Sequence, residues 1–228
     1  MDATPETSRG FNRRTLLRGG LVAGLGAAAA TVAVPALTGV AKAGVSTFAT
    51  PPGGGSSVTF NTQLNWWWCS QCSSLFASDS SGSSSGWCLG ATNYSDGHSS
   101  SGSWEYEVPY GNPSIADVQP KWNWCRACAT LFFASNIKNS QCAARYTEAN
   151  GVLNHFAGTY NYNLLYGGWA AGGPDLQAGW TWCDYCQQLW HSNPNGVNLC
   201  PRGLDYGINV AHHAGSTWSY QLFTPQTR

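Results

Sequence analysis

The sequence predicts an all-β protein made of three tandem zinc-knuckle β-hairpin repeats of about 57 residues. These are either strung as beads or closed with pseudo-threefold, β-trefoil-like symmetry. Three observations carry this. A string Trp-x-Trp-Cys-x-x-Cys-x-x-Leu-aromatic occurs three times, at Trp66 to Phe76, Trp122 to Phe132 and Trp180 to Trp190. Each copy is followed by a third cysteine and then a histidine. Each ends on an alternating aromatic-x-Tyr-x-aliphatic stretch, and no amphipathic helix of ordinary length intervenes.

Residues 1–43 read as a signal peptide. Asn12-Arg13-Arg14-Thr15-Leu16-Leu17-Arg18 resembles the twin-arginine export motif. An uncharged Gly/Ala-rich run from Gly19 to Val40 follows, and Ala41-Lys42-Ala43 supplies a small-x-small cleavage pattern. A retained membrane anchor is the alternative, since the run is long enough to span a bilayer. The resemblance implies export of an already folded protein, so the cysteines would first meet metal as thiols in a reducing cytosol. Localisation is then extracellular, with no stable membrane anchor after cleavage.

Residues 44–62, with Pro51-Pro52-Gly53-Gly54-Gly55, read as a flexible linker. The repeats then occupy 63–118, 119–176 and 177–228. Their register is set by many positions. Gln63, Gln119 and Gln177 each stand three residues before the first tryptophan. Cys69, Cys125 and Cys183 are 56 and 58 residues apart. The aromatic pairs Trp104/Tyr106, Tyr160/Tyr162 and Trp218/Tyr220 lead to Val108, Leu164 and Leu222. Trp-x-Trp places two aromatics on one face of a strand, and Leu-Phe after the knuckle reads as the returning strand. Each repeat thus reads as two small hairpins. The closed form would bury the three Trp-x-Trp pairs together.

Three cysteines per repeat suit disulfides poorly, whereas three cysteines and one histidine suit tetrahedral zinc. The predicted ligand sets are Cys69, Cys72, Cys88 and His98; Cys125, Cys128, Cys142 and His155; and Cys183, Cys186, Cys200 and His212. His213 is an alternative to His212. Cys-x-x-Cys in a tight turn presents two thiolates to one ion, and the second half of the repeat closes the tetrahedron. A repeat of this size buries little core, and a metal or disulfides would make up the deficit. Disulfide pairing after export is the competing reading. A thioredoxin-like redox use is disfavoured because the motif lies between strands.

Four ligands per repeat imply closed, structural sites with no open position for catalysis. His191 stands where Ala77 and Phe133 stand in the other copies and reads as a surface or packing residue. Asp96, Glu148 and Asp205 fall once per repeat and read as loop caps or partners of the ligands, with a glycosidase-like set as the alternative. No catalytic triad or phosphate loop is present. After cleavage six basic residues face nine acidic ones, so the footprint of nucleic-acid or anionic-lipid binding is missing.

The whole pattern, over residues 63–223, resembles a repeat of secreted bacterial proteins for which no activity is established. The resemblance implies a fold and a compartment but no chemistry. The knuckle alone also resembles those of zinc ribbons and rubredoxins. Function is expected in a binding module for carbohydrate or cell-wall polymer, because Trp and Tyr abound and charges are few. Candidate contact residues are Trp87, Tyr94, Tyr146, Trp169, Tyr185 and Tyr206, all in loops. A structural or protein-interaction repeat and a zinc-dependent secreted hydrolase are the alternatives.

Overall fold

The computed structural model describes residues 43–78, 86–93, 96–111, 115–144, 154–171, 175–192, 198–205 and 207–224. The signal-peptide features, and Tyr94, Tyr146, Glu148 and Tyr206, lie outside them. Eleven strands are present among the described residues. Strand β1 (Ala43–Thr50) comes first. Repeat one holds β2 (Val58–Trp68), β3 (Leu75–Ala77) and β4 (Glu105–Tyr110). Repeat two holds β5 (Val118–Trp124), β6 (Leu131–Phe133) and β7 (Tyr162–Tyr166). After β8 (Ala170–Ala171), repeat three holds β9 (Leu176–Trp182), β10 (Leu189–His191) and β11 (Tyr220–Phe223). The helical content described is two short 3-10 turns, Ala134–Asn139 and Pro201–Asp205.

The plan of one repeat is a hairpin and a single strand, not two hairpins. The first strand enters the knuckle, the short strand returns beside it, and the last strand pairs with the other side of the first. The second half of each repeat is mostly irregular; among the described residues it holds isolated bridges, Leu199 to Ala211 within itself and Ala157 and Ala214 to the knuckle cysteines Cys125 and Cys183. The predicted linker also differs. Residues 43–50 pair antiparallel with β2, and only the Pro-Gly turn between the two strands remains irregular. The alternating Val-x-Thr-x-Ala of β1 suits a strand better than a spacer.

The sheet is antiparallel and open, its path of paired strands running from β10 to β8. The closure of a β-trefoil is not supported. The repeats are nonetheless not beads, because their last strands pair in a cycle. Tyr110 of β4 opposes Tyr162 of β7, Tyr166 of β7 opposes Tyr220 of β11, and Phe223 of β11 opposes Glu107 of β4. The end of each last strand thus meets the start of the next one.

The main core obeys the same rotation. Each repeat contributes its first tryptophan, the knuckle leucine, the tyrosine and the aliphatic of the last strand: Trp66, Leu75, Tyr106 and Val108, with their counterparts Trp122, Leu131, Tyr162, Leu164 and Trp180, Leu189, Tyr220, Leu222. Trp66 meets the edge of Tyr162 at 5.1 Å, Trp122 that of Tyr220 at 5.3 Å, and Trp180 that of Tyr106 at 5.1 Å. Only the first tryptophan of each pair is fully buried; Trp68, Trp124 and Trp182 pack on the rim of this core. The recurring glutamines join the repeats. Gln119 accepts hydrogen bonds from Trp122 of its own repeat (3.0 Å) and from Tyr220 (2.6 Å). Gln177 accepts from Trp180 and is hydrogen bonded to Tyr106, and Gln63 accepts from Tyr162. A buried phenol without such a partner would cost stability.

Candidate metal centres

Each knuckle forms because one residue accepts a left-handed backbone. Ser73, Ala129 and Gln187, directly after the second cysteine, have φ of 68°, 62° and 67°. Their N–H groups each bond the carbonyl of the first cysteine at 2.8 Å, which closes the turn. The same conformation aims their own carbonyls at the neighbouring repeat. Ala129 O accepts from Ala77 N, Gln187 O from Phe133 N, and Ser73 O from His191 N. The knuckles therefore form a second cycle of contacts, apart from that of the last strands.

The structure brings the twelve predicted side chains into three groups of four, all buried. Every ligand atom in a group lies within 4.8 Å of the others. Cys69 and Cys88 Sγ are 3.7 Å apart, Cys125 and Cys142 3.7 Å, and Cys183 and Cys200 3.8 Å. Histidine Nδ1 lies 3.4 Å from Cys72, Cys128 and Cys186 respectively. A disulfide needs sulfurs ~2.05 Å apart. All nine cysteines are free, so the disulfide reading does not hold. A tetrahedron with metal–sulfur bonds of ~2.3 Å has an edge of ~3.8 Å, which the spacing matches. Each group can hold one metal ion.

The third histidine is settled by position. His212 joins the cysteines, whereas His213 points outward to Asp184 Oδ1 at 2.9 Å and stacks on Tyr185. Phe76, Phe132 and Trp190 stack on the ligand imidazoles of His98, His155 and His212 and fix their planes. With Nδ1 turned to the sulfurs, Nε2–H is left to donate. His98 donates to Cys128 O at 2.9 Å and His155 to Cys186 O at 3.0 Å, both in the next repeat. His212 instead meets Ser74 Oγ of repeat one at 3.3 Å. Such a partner holds the ring tautomer that leaves Nδ1 free for metal. Backbone N–H groups add support at the sulfurs, from Gln71 to Cys69 (3.4 Å) and from Phe156 to Cys125 (3.3 Å).

The electrostatics are those of a cation site. Burial disfavours charge on His98 and His155, but thiolate charge and hydrogen bonding outweigh it and hold both imidazoles up, His155 at about 10. Burial likewise opposes ionisation of Cys69, Cys128 and Cys183. Hydrogen bonds from the neighbouring thiols and the imidazolium charge overcome it and bring each well below the usual thiol range. Hydrogen bonds to those thiolates, with burial, push Cys72 and Cys142 up; for Cys186 burial is the leading cause. By themselves the side chains of the first two groups support one thiolate–imidazolium pair each. A divalent cation lets all three thiols ionise and frees the imidazole nitrogen.

The chain matches no known family model, and no curated protein or solved structure is significantly similar to it.

Other predicted site residues are dispersed. Asp96 caps its own loop through Asn93 and is exposed, whereas Glu148 and the side chain of Asp205 lie outside what the structure describes. Trp169 is buried, donating to Asp117 O at 3.0 Å, and Trp87 packs against the second knuckle. Both belong to the scaffold. Tyr185 is exposed. The exposed aromatics that recur are instead Trp104, Tyr160 and Trp218, at 58%, 43% and 44% exposure. They are the first members of the aromatic pairs, and their period-two spacing from the buried tyrosines was the available signal.

Proposed function

We propose that this is a secreted, zinc-stabilised, non-enzymatic repeat protein that serves as a binding module for carbohydrate or cell-wall polymer. The observation that carries the metal part is the spacing of the three buried Cys3His groups, 3.7 to 3.8 Å between sulfurs and 3.4 Å from sulfur to nitrogen. Thiolate and imidazole donors in a tetrahedron favour zinc over harder cations. Four protein donors fill the tetrahedron, which favours a structural over a hydrolytic role. Export as a folded protein suits this, since the thiols would load in a reducing compartment.

The binding part rests on the surface. Trp104, Tyr160 and Trp218 present large aromatic area once per repeat, on a chain with only 10% charged residues. Aromatic faces with few charges suit neutral sugar rings. Elemental analysis of the purified mature protein tests the first part: three zinc ions per chain are expected, and a metal-free protein with this fold would refute it. Co-sedimentation with insoluble polysaccharides tests the second. Retention is expected; absence of retention on every glycan, with a protein partner captured instead, would favour the interaction-repeat reading.

A further inference from the structure

The threefold surface is broken in one place, and we infer that the break is the ligand site: a cleft between repeats three and one that takes a neutral pyranose ring against Trp104. This deepens the carbohydrate reading and rests on it.

In two of the three equivalent places the protein supplies its own ring to the exposed aromatic. Tyr166 lies flat on Trp218, with centroids 4.6 Å apart and planes 4° apart. Tyr110 meets Tyr160 edge-on at 6.0 Å. The corresponding position in repeat three is Thr224, too small to reach Trp104. Trp104 accordingly has no ring contact among the described residues and is the most exposed of the three. The neighbouring position differs in every repeat, being Ala77, Phe133 and His191 in turn. Phe133 fills the space beside Trp182, at 6.0 Å, in the boundary between repeats two and three. Its counterpart between repeats three and one is His191, whose ring packs on Trp180 of its own repeat (5.3 Å), as Phe133 does on Trp122 (5.5 Å), but makes no ring contact with Trp68 across the boundary among the described residues. Gly179 makes room for it, since a Cβ there would stand 3.1 Å from His191 Nε2.

Both changes leave an open cleft of about 370 Å³, lined by Trp68, Trp104, Tyr106, Gln177, His191 and Ser192. That volume is in the range of small-ligand sites and suits one or two sugar rings. The lining contains no Lys, Arg, Asp or Glu. Its chemistry is two indole surfaces with an imidazole, an amide and a hydroxyl at the edge. The imidazole has no hydrogen-bond partner among the described residues, so it is available to a hydroxyl. Tyr166 on Trp218 shows the geometry of the occupant: a flat, uncharged ring with a hydroxyl at its rim. A pyranose offers its C–H face to the indole and its hydroxyls to the polar edge. A charged ligand would find nothing in the cleft to neutralise it.

The test uses the intact mature protein. Neutral β-1,4-linked tetrasaccharides of glucose and of N-acetylglucosamine are titrated while tryptophan fluorescence and heat are followed. Saturable binding is expected with at least one of them, weakened at least tenfold by Trp104→Ala and largely kept by Trp104→Phe. Trp218→Ala, in an already filled position, should leave it within twofold. His191→Phe should close the cleft as Phe133 does, and abolish binding while thermal stability holds or rises. Equal losses in the Trp104 and Trp218 variants would overturn the single-cleft assignment. So would undiminished binding in Trp104→Ala. Polysaccharide retention by the wild type that persists in Trp104→Ala would defeat the cleft alone. A wild type that binds neither tetrasaccharide nor polymer would defeat the carbohydrate reading itself.

Discussion

Lys121 shows how the repeat imposes a backbone that its residue types resist. It has φ of 72°, in the position held by Asn65 (68°) and by Gly179 (90°). In all three repeats the pairing with the last strand shifts register here, so an extra residue is inserted just before the buried tryptophan. Asparagine tolerates this conformation, glycine needs no tolerance, and lysine is held there by its surroundings. Lys121 is exposed and contributes no buried contact. Lys121→Gly is therefore expected to stabilise the protein by ~0.5–1 kcal/mol, the relief of left-handed strain less the added freedom of the unfolded chain. A lower thermal midpoint in scanning calorimetry would count against this. Trp122 is the opposite case, fully buried, edge-on to Tyr220 and bonded to Gln119. Trp122→Ala should cost about 3–5 kcal/mol, from lost burial and the cavity left behind. Gln119→Leu should cost about 1–3 kcal/mol, because Tyr220 and Trp122 would both lose an acceptor. Urea denaturation of the two variants measures both.

The knuckle is the element on which each repeat depends. Its hairpin is short: β3, β6 and β10 are three residues each, and a pair of strands that size does not persist alone. What keeps it is the left-handed turn after the second cysteine and the ligand group that closes over it. Removal of metal should consequently unfold the protein rather than expose a still-folded apo form. Addition of a strong chelator at neutral pH is expected to abolish near-ultraviolet dichroism, with recovery on returning zinc. Persistence of the tertiary signal would show that burial alone suffices. Acid should act in the same direction. Bound metal requires deprotonated thiolates and a neutral imidazole nitrogen, so protons compete with it, and stability must fall as pH is lowered. Release of the bound metal, followed with a colorimetric dye, should coincide with the loss of structure.

At the level of the molecule, three cycles superimpose: last strand to last strand, tryptophan to the next tyrosine, and ligand histidine to the next knuckle. Each repeat is completed by its neighbour. A chain ending before residue 177 would lose Trp180 from Tyr106, β11 from both β4 and β7, and the carbonyls that Phe133 and His155 use. Such a two-repeat protein is expected to lack cooperative unfolding, where independent beads would keep two-thirds of the intact signal. Heat-capacity scans distinguish the two outcomes.

The repeat count, the β class and all three ligand groups were legible in the sequence. They depend on residue types with narrow chemical uses: cysteine and histidine at metal-ligand spacing, and tryptophan at strand spacing. Identity at each recurring position was enough to pick them out. The choice of His212 over His213 was not legible, because adjacent residues have equal reach until the backbone direction is known. Nor was the strand formed by residues 43–50, whose pairing with β2 is non-local and whose Pro-Gly turn reads as a linker. Gln63, Gln119 and Gln177 stood out as recurrent, but their role is to bond a tyrosine about a hundred positions or less away in another repeat, which no local pattern encodes. Which repeat meets which was decided by tertiary structure alone. A repeated sequence specifies what one unit is and leaves open which unit meets which. The answer came from edges that a single repeat cannot satisfy: unpaired strand ends, half-covered tryptophans and histidine N–H groups facing outward. The next repeat in the cycle satisfies all three, and where Thr224 stands in place of the tyrosine of the other two repeats, Trp104 is left without a covering ring among the described residues.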